Sequence, residues 1–519
     1  MREAENKNEA DWNSSALKTN VQAVCSVANA LEGTIGPKGL DTMLVDQQGN
    51  VLVTNDGVTI LEEMEANHPA AQMLVHMAKS QQKLVGDGTT TATLLASALI
   101  RIGMEQISKG VPPIKVIEGI RIGTREVLRF LMDSLRMKIE LDDKRLMQVA
   151  MVAGREYRDI AELVIEAAKR VGKEKLCDQH FKLSEMVEAE ENVQNEVFTG
   201  LIITKERMNQ EMPQSKKNVK VLVIDDALES EEINNEVLAT ESGFKHYMYL
   251  QEEFKKNIQK IIDLNVGLIL VDRNISSIAE EILTNAGIIA IRRVEHKQLA
   301  RAAEHAGAKM IKRTGIKKSS VDLEKYLGFV AEVVEDEKLK QIRILGGKGK
   351  PVATILVSAA TKEVVGERKR IAMDAAASVQ ATVKGGCVAG GGATEIAMSR
   401  YIKVFREETS GMTAYGVDCV AEALKVPVVH MIKNAGYNPL EKVEDMIAAQ
   451  AIDQNNFLGI DCNRGNVDNM EALGIFDPAL VKYHALNSAT EVATSILKID
   501  KIIRKKAKNS KADDVVADF

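Results

Sequence analysis

The hydrophobic pattern of this 519-residue chain changes twice along its length. In the first 140 residues, apolar positions recur at helical spacing in four segments: 14–32, 69–84, 89–102 and 113–137. Short β-branched runs replace them in the middle, at 219–225, 266–271 and 287–291. A helical segment separates the last two runs, which is typical of βαβ units and a partly parallel sheet. Helical spacing returns from about residue 390 and ends in a long segment near 485–503. This order predicts a mostly helical domain that is split by an α/β insertion.

The N-terminal helical part has one interruption. Two short extended stretches, Thr42–Val45 and Val51–Thr54, flank the turn at 46–50. The chain is also too long for one hydrophobic core, because single cores stop growing near about 250–300 residues. Only 4% of the residues are aromatic, so aliphatic side chains and 21 Met must form the core, which favours packed helices. We therefore expect a multidomain protein with two or three domains.

Charge and cysteine usage exclude several classes of protein. The 68 basic and 74 acidic residues give a net charge of −6, without the basic surplus of a general nucleic-acid or anionic-membrane binder. The sequence contains no apolar run of about 18 residues that would span a bilayer, and its polar N-terminus does not resemble a secretory signal. The five cysteines are never spaced CxxC, which disfavours a disulfide scaffold and a structural zinc site. We expect a cytoplasmic protein that binds neither nucleic acid nor membrane.

The segment Gly86-Asp-Gly-Thr-Thr-Thr-Ala92 opens a helical pattern. Glycines let backbone N–H groups approach a phosphate, and a helix N-terminus carries about half a positive charge. Asp87 would repel a phosphate unless a divalent cation lay between them, and Mg²⁺ is commonly held by one or two carboxylates plus phosphate oxygens. The residues alone leave an alternative open, in which this aspartate and the threonines only cap the helix.

Three further glycine-containing segments are candidates for the same site. Gly33–Gly39 could wrap a base or a phosphate, or could simply end a helix. Asn55-Asp-Gly57 reads as an ordinary turn after a strand, and Gly390-Gly-Gly392 allows either close backbone approach or a hinge between domains. The sequence has no GxxxxGK[ST], GxGxxG or HExxH pattern, which disfavours a P-loop ATPase, a Rossmann dehydrogenase and a zincin.

Five strings in a fixed order carry a family resemblance that spans the chain. They are TIGPKGLDTMLVD, TNDGVTIL, HPAAQMLVHMAKSQQKLVGDGTTTATLLA, VAGGGATEIAMS and LGIFDPALVKYHALNSATEVATSILKID. Together they resemble a chaperonin, and the HPAA segment is more similar to the group II proteins, the archaeal thermosome and the eukaryotic cytosolic type, than to the bacterial group I proteins. The resemblance implies the chaperonin fold in three domains: an equatorial domain (1–139 and 390–519), an intermediate domain (140–197 and 354–389) and an apical domain (198–353), with a helical protrusion at about 226–265 as a lid.

The resemblance also implies an ATP site with Mg²⁺. Asp87 matches the metal ligand, Asp56 a carboxylate near the γ-phosphate that helps to position water, and Asp374 the catalytic aspartate of the intermediate domain. The other residues that it places at the nucleotide are Thr34, Ile35, Gly36, Pro37, Asn55, Gly57, Gly88, Thr89, Thr90, Thr91, Gly391, Gly392, Asp461 near the adenine and Asp477 at the ribose. Because Asp374 is distant in sequence from Asp87, hydrolysis is expected to need closure of the intermediate domain.

Two positions depart from the family pattern. A lysine that senses the γ-phosphate is usual where this chain reads Ala153-Gly-Arg-Glu156, so Arg155 is the candidate replacement, with a planar fork instead of a point charge. The usual Arg-Gly-Gly-Thr at the apical–intermediate junction reads Ser358-Ala-Ala-Thr361, and the loss of two glycines should stiffen it. A divergent, bacterial branch of the family is one interpretation that these departures leave open.

The predicted lid holds a cluster of large apolar side chains: Phe244, Tyr247, Met248, Tyr249, Leu250 and Phe254. Such a surface suits the binding of unfolded chains. Alternatively, these residues form the core of the protrusion or a lid-to-lid contact.

The predicted function is an ATP-dependent chaperonin that encloses non-native polypeptides in a cavity closed by its own lid. The expected assembly is a homo- or hetero-oligomeric double ring with eight or nine subunits per ring and no separate cochaperonin. A Mg²⁺-dependent ATPase or kinase without chaperone function, or a catalytically slow scaffold ring, are the alternatives.

Overall fold

The computed structural model describes residues 2–231 and 240–501. Its helices are α1 Arg2–Leu31, α2 Gly57–Glu63, α3 Pro69–Val85, α4 Thr89–Ser108, α5 Pro113–Phe130, α6 Lys144–Ala153, α7 Arg158–Val171, α8 Lys173–Cys177, α9 Glu241–Asp263, α10 Ser277–Asn285, α11 His296–Ala306, α12 Ser320–Glu324, α13 Lys362–Gly385, α14 Ala393–Glu408, α15 Thr413–Asn434, α16 Pro439–Ile452, α17 Met470–Leu473 and α18 Ala479–Leu497. Its strands are β1 Thr42–Val45, β2 Val51–Thr54, β3 Val187–Glu191, β4 Glu196–Ile203, β5 Ser215–Ile224, β6 Val266–Val271, β7 Ile289–Ile291, β8 Gly328–Asp336, β9 Gln341–Gly347, β10 Ala353–Ala359, β11 Cys387–Ala389, β12 Leu458–Asp461, β13 Asn466–Asn469 and β14 Phe476–Pro478.

These elements divide into two compact units. The first contains the described residues up to Arg155 and from Ala381 on, and the second contains Glu156–Gln380. The predicted insertion of an α/β part into a helical part is therefore present, whereas the finer three-domain boundaries stay a prediction. Within the described ranges, no helix is both long and apolar enough to cross a membrane.

The first unit is built around helix α4, which packs against α1, α3, α15 and α18. Its buried positions lie on every side of the helix, as expected for a central helix that is apolar all round. Most of these side chains are small or aliphatic, in agreement with the low aromatic content. Helices α5 and α15 also cross closely: a methyl group on Gly119 would lie 2.0 Å from the carbonyl oxygen of Thr413 and 2.7 Å from the Cα of Gly416.

Three two-stranded sheets complete the first unit. Strands β1 and β2 pair antiparallel, with Thr42 opposite Thr54, and their bounds are those that the sequence predicted. β11 pairs with β14 and β12 with β13, both antiparallel. The predicted long helix at 485–503 ends earlier, because α18 stops at Leu497 and residues 498–501 are not helical although the sequence there contains an apolar residue, Ile499. Residues 502–503 of that prediction lie outside the described residues. Hydrophobic spacing alone does not fix where a helix ends.

The second unit contains an eight-stranded mixed sheet in the order β3-β10-β4-β9-β8-β5-β6-β7. β5, β6 and β7 run parallel, and α10 connects β6 to β7. The predicted βαβ unit is confirmed. Alternate residues of β5 and β6 enter two different cores, one on each face of the sheet. Helix α11 covers one face and α9 with α10 the other, which explains why these strands read as continuous apolar runs.

The predicted helical protrusion at 226–265 corresponds in part to helix α9. Residues 232–239 of that segment lie outside the described residues. The C-terminal half of α9 packs on the sheet through Phe254, Ile258 and Ile261, all of them buried.

Candidate functional site

The N-termini of helices α2 and α4 lie side by side in the first unit. A methyl group on Gly57 would lie 2.5 Å from Thr90 Oγ1 and 3.3 Å from the Thr90 backbone nitrogen. The turn at Asn55–Gly57 therefore faces the start of α4. Because the first N–H groups of a helix have no intrahelical partner, two adjacent N-termini form a place of positive potential.

Glycines shape the loop that precedes α4. Gly86 and Gly88 have φ values of +73° and +77°, which favour glycine, and between them Asp87 is half-buried. The Asp87 carboxylate accepts a hydrogen bond of 2.5 Å from the Gly88 backbone N–H. Thr89 is buried, while Thr90 and Thr91 are half-buried at the first turn of α4. The arrangement presents one carboxylate and several backbone N–H groups in the same loop.

The side chain of Gln81 is hydrogen-bonded to the backbone of this loop, a contact that the sequence did not reveal. The side chain is fully buried, and its amide nitrogen donates to the carbonyl oxygens of Asp87 at 2.9 Å and of Val481 at 3.2 Å. Gln81 and Val481 are 400 residues apart along the chain. The backbone of Asp87 is thus tied to the first turn of α18.

Asp56 acts as a helix cap in this structure. Its Oδ2 accepts hydrogen bonds from the backbone nitrogen of Thr59 at 3.0 Å and from Thr59 Oγ1 at 2.6 Å. The bonds hold the carboxylate at the start of α2, next to the N-terminus of α4. A capping role and a role near a bound phosphate are compatible, since the cap uses one carboxylate oxygen.

The loop at Thr34–Pro37 and the glycines at Gly390–Gly392 approach the same side chain. A methyl group on Gly36 would lie 2.6 Å from Met431 Cγ, and one on Gly392 would lie 3.4 Å from Met431 Cε. Asn434, one turn farther along α15, donates to the carbonyl oxygen of Ile35 at 3.0 Å. Helix α15 therefore brings together two loops that the sequence could only propose separately.

Asp461 and Asp477 lie on strands that contact the glycines at 390–392. The backbone nitrogen of Ile460 donates to the Gly391 carbonyl at 2.9 Å, which places the end of β12 against this loop. Asp461 is buried, and its Oδ1 accepts from the Asn463 backbone N–H at 2.8 Å. Asp477 is close to the first of these glycines, since a methyl group on Gly390 would lie 3.3 Å from its Oδ2.

Arg155 is joined to the predicted site through Asn55. Its Nη2 donates to Asn55 Oδ1 at 2.5 Å. Arg155 and Glu156 have φ values of +50° and +64°, which are unfavourable for residues with a side chain and cost about 1–3 kcal/mol each. The side chain of the predicted sensor residue therefore reaches the turn that carries Asp56.

Asp374 belongs to the second unit, where it lies on helix α13. Its Oδ2 accepts from Arg370 Nη1 at 3.2 Å, and Arg370 also pairs with Glu367 at 2.7 Å. Its side chain is 20% exposed. The sequence did not indicate that Arg370 would hold this carboxylate.

The predicted apolar cluster divides into two parts on helix α9. Leu250 and Phe254 are buried, and Phe254 belongs to the core beneath the helix. Phe244, Met248 and Tyr249 are exposed, Tyr249 by 64%, and Tyr247 is half-buried. The structure therefore places the buried members in the core and leaves the others on the surface.

The donor set around Asp87 agrees with a metal that is shared with phosphates. Within the described ranges, no three His, Cys, Asp or Glu side chains cluster so as to hold a metal ion by themselves. Mg²⁺ needs no such cluster, because it is usually bound through one or two carboxylates, water and substrate phosphates. Asp87 can supply that carboxylate.

Comparison with known proteins gives one consistent result. The sequence profile of the TCP-1/cpn60 chaperonin family matches residues 27–507. A thermosome subunit from Pyrococcus horikoshii is 34% identical over 510 residues, which cover 94% of this chain and 91% of that protein. Thermosome subunit alpha from Archaeoglobus fulgidus is 33% identical over 512 residues, with 95% and 92% covered. A solved structure, a group III chaperonin in the open state, superposes with a TM-score of 0.84 at 42% sequence identity. The match covers 95% of this chain and 100% of that protein's chain.

Proposed function

This chain belongs to the TCP-1/cpn60 chaperonin family, and from that premise we propose that it is an ATP-dependent chaperonin that assists the folding of non-native polypeptides. The proposal rests on the meeting of α2 and α4 at Gly57 and Thr90, where Asp56 and Asp87 lie beside two helix N-termini. Adjacent helix N-termini suit the binding of a triphosphate, because their backbone N–H groups compensate its negative charge.

Each residue of the site has a proposed role. Asp87 would hold Mg²⁺, which supplies positive charge to the phosphates when bound. The backbone N–H groups of Thr89–Thr91 would bind phosphate oxygens, and that of Gly88, which donates to Asp87 in this structure, would join them once Asp87 holds the metal. Asp56 orients the attacking water. Asp374 is proposed as the carboxylate that accepts the proton of this water. The loops at Thr34–Pro37 and Gly390–Gly392, with Asp461 and Asp477, enclose the base and the ribose.

Assembly into a ring is proposed from the exposed hairpin of β1 and β2. Met43, Val45, Val51 and Val53 are more than half exposed, although all four are apolar. A hairpin of two strands is marginally stable by itself and presents unpaired backbone groups at its edges. Pairing with a neighbouring subunit would satisfy these groups and bury the apolar side chains, as an oligomer of eight or nine subunits per ring requires.

The exposed residues Phe244, Met248 and Tyr249 of α9 are proposed to contact client polypeptides or other lids, whereas Leu250 and Phe254 stabilise the helix. The cytoplasm is the proposed location. Supporting it, the five cysteines form no disulfide, and three of them are buried as thiols.

The central experiment measures ATP-dependent refolding of a denatured enzyme by the purified protein and its Asp374→Ala variant. We expect the variant to bind ATP as the wild type does and to lose nearly all hydrolysis and refolding activity. Arg370 keeps Glu367 as a partner, so the variant should fold normally. Glu281→Ala, which removes an exposed carboxylate from α10 in the same unit, is the matched control.

Three results would contradict the proposal. Normal turnover in Asp374→Ala would remove this residue from catalysis. Turnover without refolding of any denatured protein would favour an ATPase or kinase of another function. Ring formation without ATP turnover in the wild type would favour a scaffold.

A further inference from the structure

Lys482 lies in the interior of the first unit between two carboxylates. Its Nζ is 2.5 Å from Glu395 Oε1 and 2.8 Å from Asp477 Oδ2. The side chains of Lys482 and Glu395 are only 11% and 7% exposed, whereas Asp477 is 28% exposed. A buried lysine is costly unless it is paired, so this position needs an explanation.

The three residues come from elements that meet at the glycines of the candidate site. Asp477 lies on β14, which pairs with β11 directly before Gly390. Lys482 is in the first turn of α18, and Glu395 is in the first turn of α14, directly after Gly392. The same Oδ2 of Asp477 that binds Lys482 is the atom that faces Gly390.

The charges of the cluster are unequal, with one cation between two carboxylates. Burial by itself would lower the pKa of Lys482, but Asp477 and Glu395 outweigh it and raise the pKa, so the ammonium group stays charged. Glu395 Oε2 is buried and has no hydrogen-bond partner among the described residues. Lys482 is therefore the main group that holds Glu395, and Glu395 in turn fixes Lys482 at the point where it reaches Asp477.

We propose that Lys482, anchored by Glu395, is a positioning residue that fixes the carboxylate of Asp477 so that it accepts a hydrogen bond from a ribose hydroxyl of the nucleotide. The inference rests on the proposed function, because it requires a nucleotide at the glycines of 390–392. Lys482 binds one carboxylate oxygen of Asp477 and leaves the partly exposed side of the group to the ligand. The cluster thus determines which sugar the site accepts.

The test compares ATP with 2′-deoxy-ATP and 3′-deoxy-ATP in steady-state hydrolysis by the full-length protein. A hydrogen bond to a charged group is worth about tenfold to a hundredfold in affinity, so the wild type should show a KM at least about tenfold higher for one deoxynucleotide. Lys482→Met should bring the two KM values within about threefold, mainly by raising that of ATP, while kcat changes little. A merely structural role would affect ATP and the deoxynucleotide alike.

Two further variants keep the test decisive. Lys482→Met alone leaves two carboxylates near each other without a cation and could impair folding. The double variant E395Q/K482M removes a cation and an anion together, should fold, and should still lose the discrimination. Glu395→Gln alone still offers Lys482 a side-chain oxygen as acceptor and leaves its pair with Asp477 in place, so this variant should retain the discrimination.

The outcomes separate the inference from the proposed function. A wild type that neither binds nor hydrolyses ATP overturns the proposed function and this inference together. A wild type that hydrolyses ATP but accepts both deoxynucleotides equally overturns the inference alone. Full discrimination in the folded double variant also overturns it, because Asp477 would then keep its position without Lys482.

Discussion

Burial keeps three thiols of the first unit protonated well above neutral pH. It raises the pKa of Cys387 and Cys419 to about 12 and that of Cys462 to about 11, from an ordinary value of 9.0. Above pH 9 the unfolded chain loses these protons while the folded chain keeps them. The stability that the thiols contribute is therefore fully present below pH 9 and is lost as the pH rises toward 11–12.

Replacing Cys387, Cys419 and Cys462 by Ala should flatten this pH dependence. Each thiol accounts for at most about 1.4 kcal/mol per pH unit, and in the unfolded chain it is only half-ionised at pH 9. Between pH 9 and 10.5 the free energy of unfolding of the wild type should therefore fall by about 3 kcal/mol per unit more than that of the triple variant. Urea unfolding at several pH values measures the difference. Cys177→Ala, which removes an exposed thiol, should follow the wild type. If the free energy of unfolding of the triple variant falls with pH as steeply as that of the wild type, the prediction is wrong.

Replacement of Arg155 should change the rate of ATP hydrolysis. Arg155→Lys should lose the bond with Asn55, because an ammonium group on a flexible chain does not reproduce the planar fork. We expect kcat for ATP hydrolysis to fall by about tenfold, as for the loss of one charge-assisted hydrogen bond. Protease protection of α9 upon addition of ATP should change as well.

Arg158→Lys is the control for this prediction, since Arg158 is 81% exposed and pairs with Glu162 on the surface. Unchanged kcat and protection in Arg155→Lys would remove Arg155 from nucleotide sensing.

At the scale of elements, the close crossing of α5 and α15 determines how tightly the first unit packs. Two glycines, Gly119 and Gly416, face each other with no side chain between the helices. Such an approach is possible only where both positions lack a Cβ. Hydrophobic periodicity predicted α5, but it gave no sign of which glycine would face which helix.

Gly119→Ala should force these two helices apart. The added methyl group would lie 2.0 Å from a backbone oxygen, so relief requires movement of a helix, and we expect a loss of about 1–3 kcal/mol or more in the free energy of unfolding. Gly366→Ala on α13 is the control, because nothing lies within 4 Å of its added methyl group; it should be neutral or stabilising by about 0.4–1 kcal/mol. Equal denaturant midpoints for the two variants would contradict the predicted cost of a methyl group at the crossing of α5 and α15.

At the scale of the whole molecule, one subunit leaves an apolar edge that a second copy can cover. Strands β1 and β2 form a sheet of two strands. The side chain of Leu44 in β1 is partly buried against the core of the first unit. Met43 and Val53 are opposite each other and both exposed. The hairpin is thus available for pairing between subunits.

Val53→Lys should weaken this assembly without unfolding the subunit. A charged side chain on an exposed strand opposes edge pairing, and the burial of one valine is worth about 1.5–3 kcal/mol, or roughly tenfold or more in the dissociation constant. Size-exclusion chromatography and end-on negative-stain images would show smaller species at a concentration where the wild type forms rings. Gln48→Lys places the same charge in the turn of the hairpin and should assemble normally. Intact rings in Val53→Lys would exclude the hairpin as an essential contact.

Elements with a strong local signal could be predicted from the sequence. The bounds of β1 and β2 agree with the prediction, and helix α3 begins at Pro69, where proline is tolerated in a first turn. The phosphate site at the glycines and Asp87 stays a prediction. The end of α18 was missed, because apolar spacing continues past Leu497 although the helix does not. Arg370 beside Asp374 was missed as well, since a helical ion pair at four residues is common and carries no functional signal.

The sequence by itself determined the order of helical and α/β parts, the family, and the glycine-rich loops, because periodicity and backbone freedom are local properties. Only the tertiary structure decided which loops meet. Gln81 reaches Val481 across 400 residues, and Asn434 reaches Ile35 across 399. The pairing of Lys482 with Glu395 depends in the same way on two helices, α18 and α14, whose first turns lie close together. Such pairings arise from the packing of a common core, which brings distant residues together without any pattern in the sequence between them.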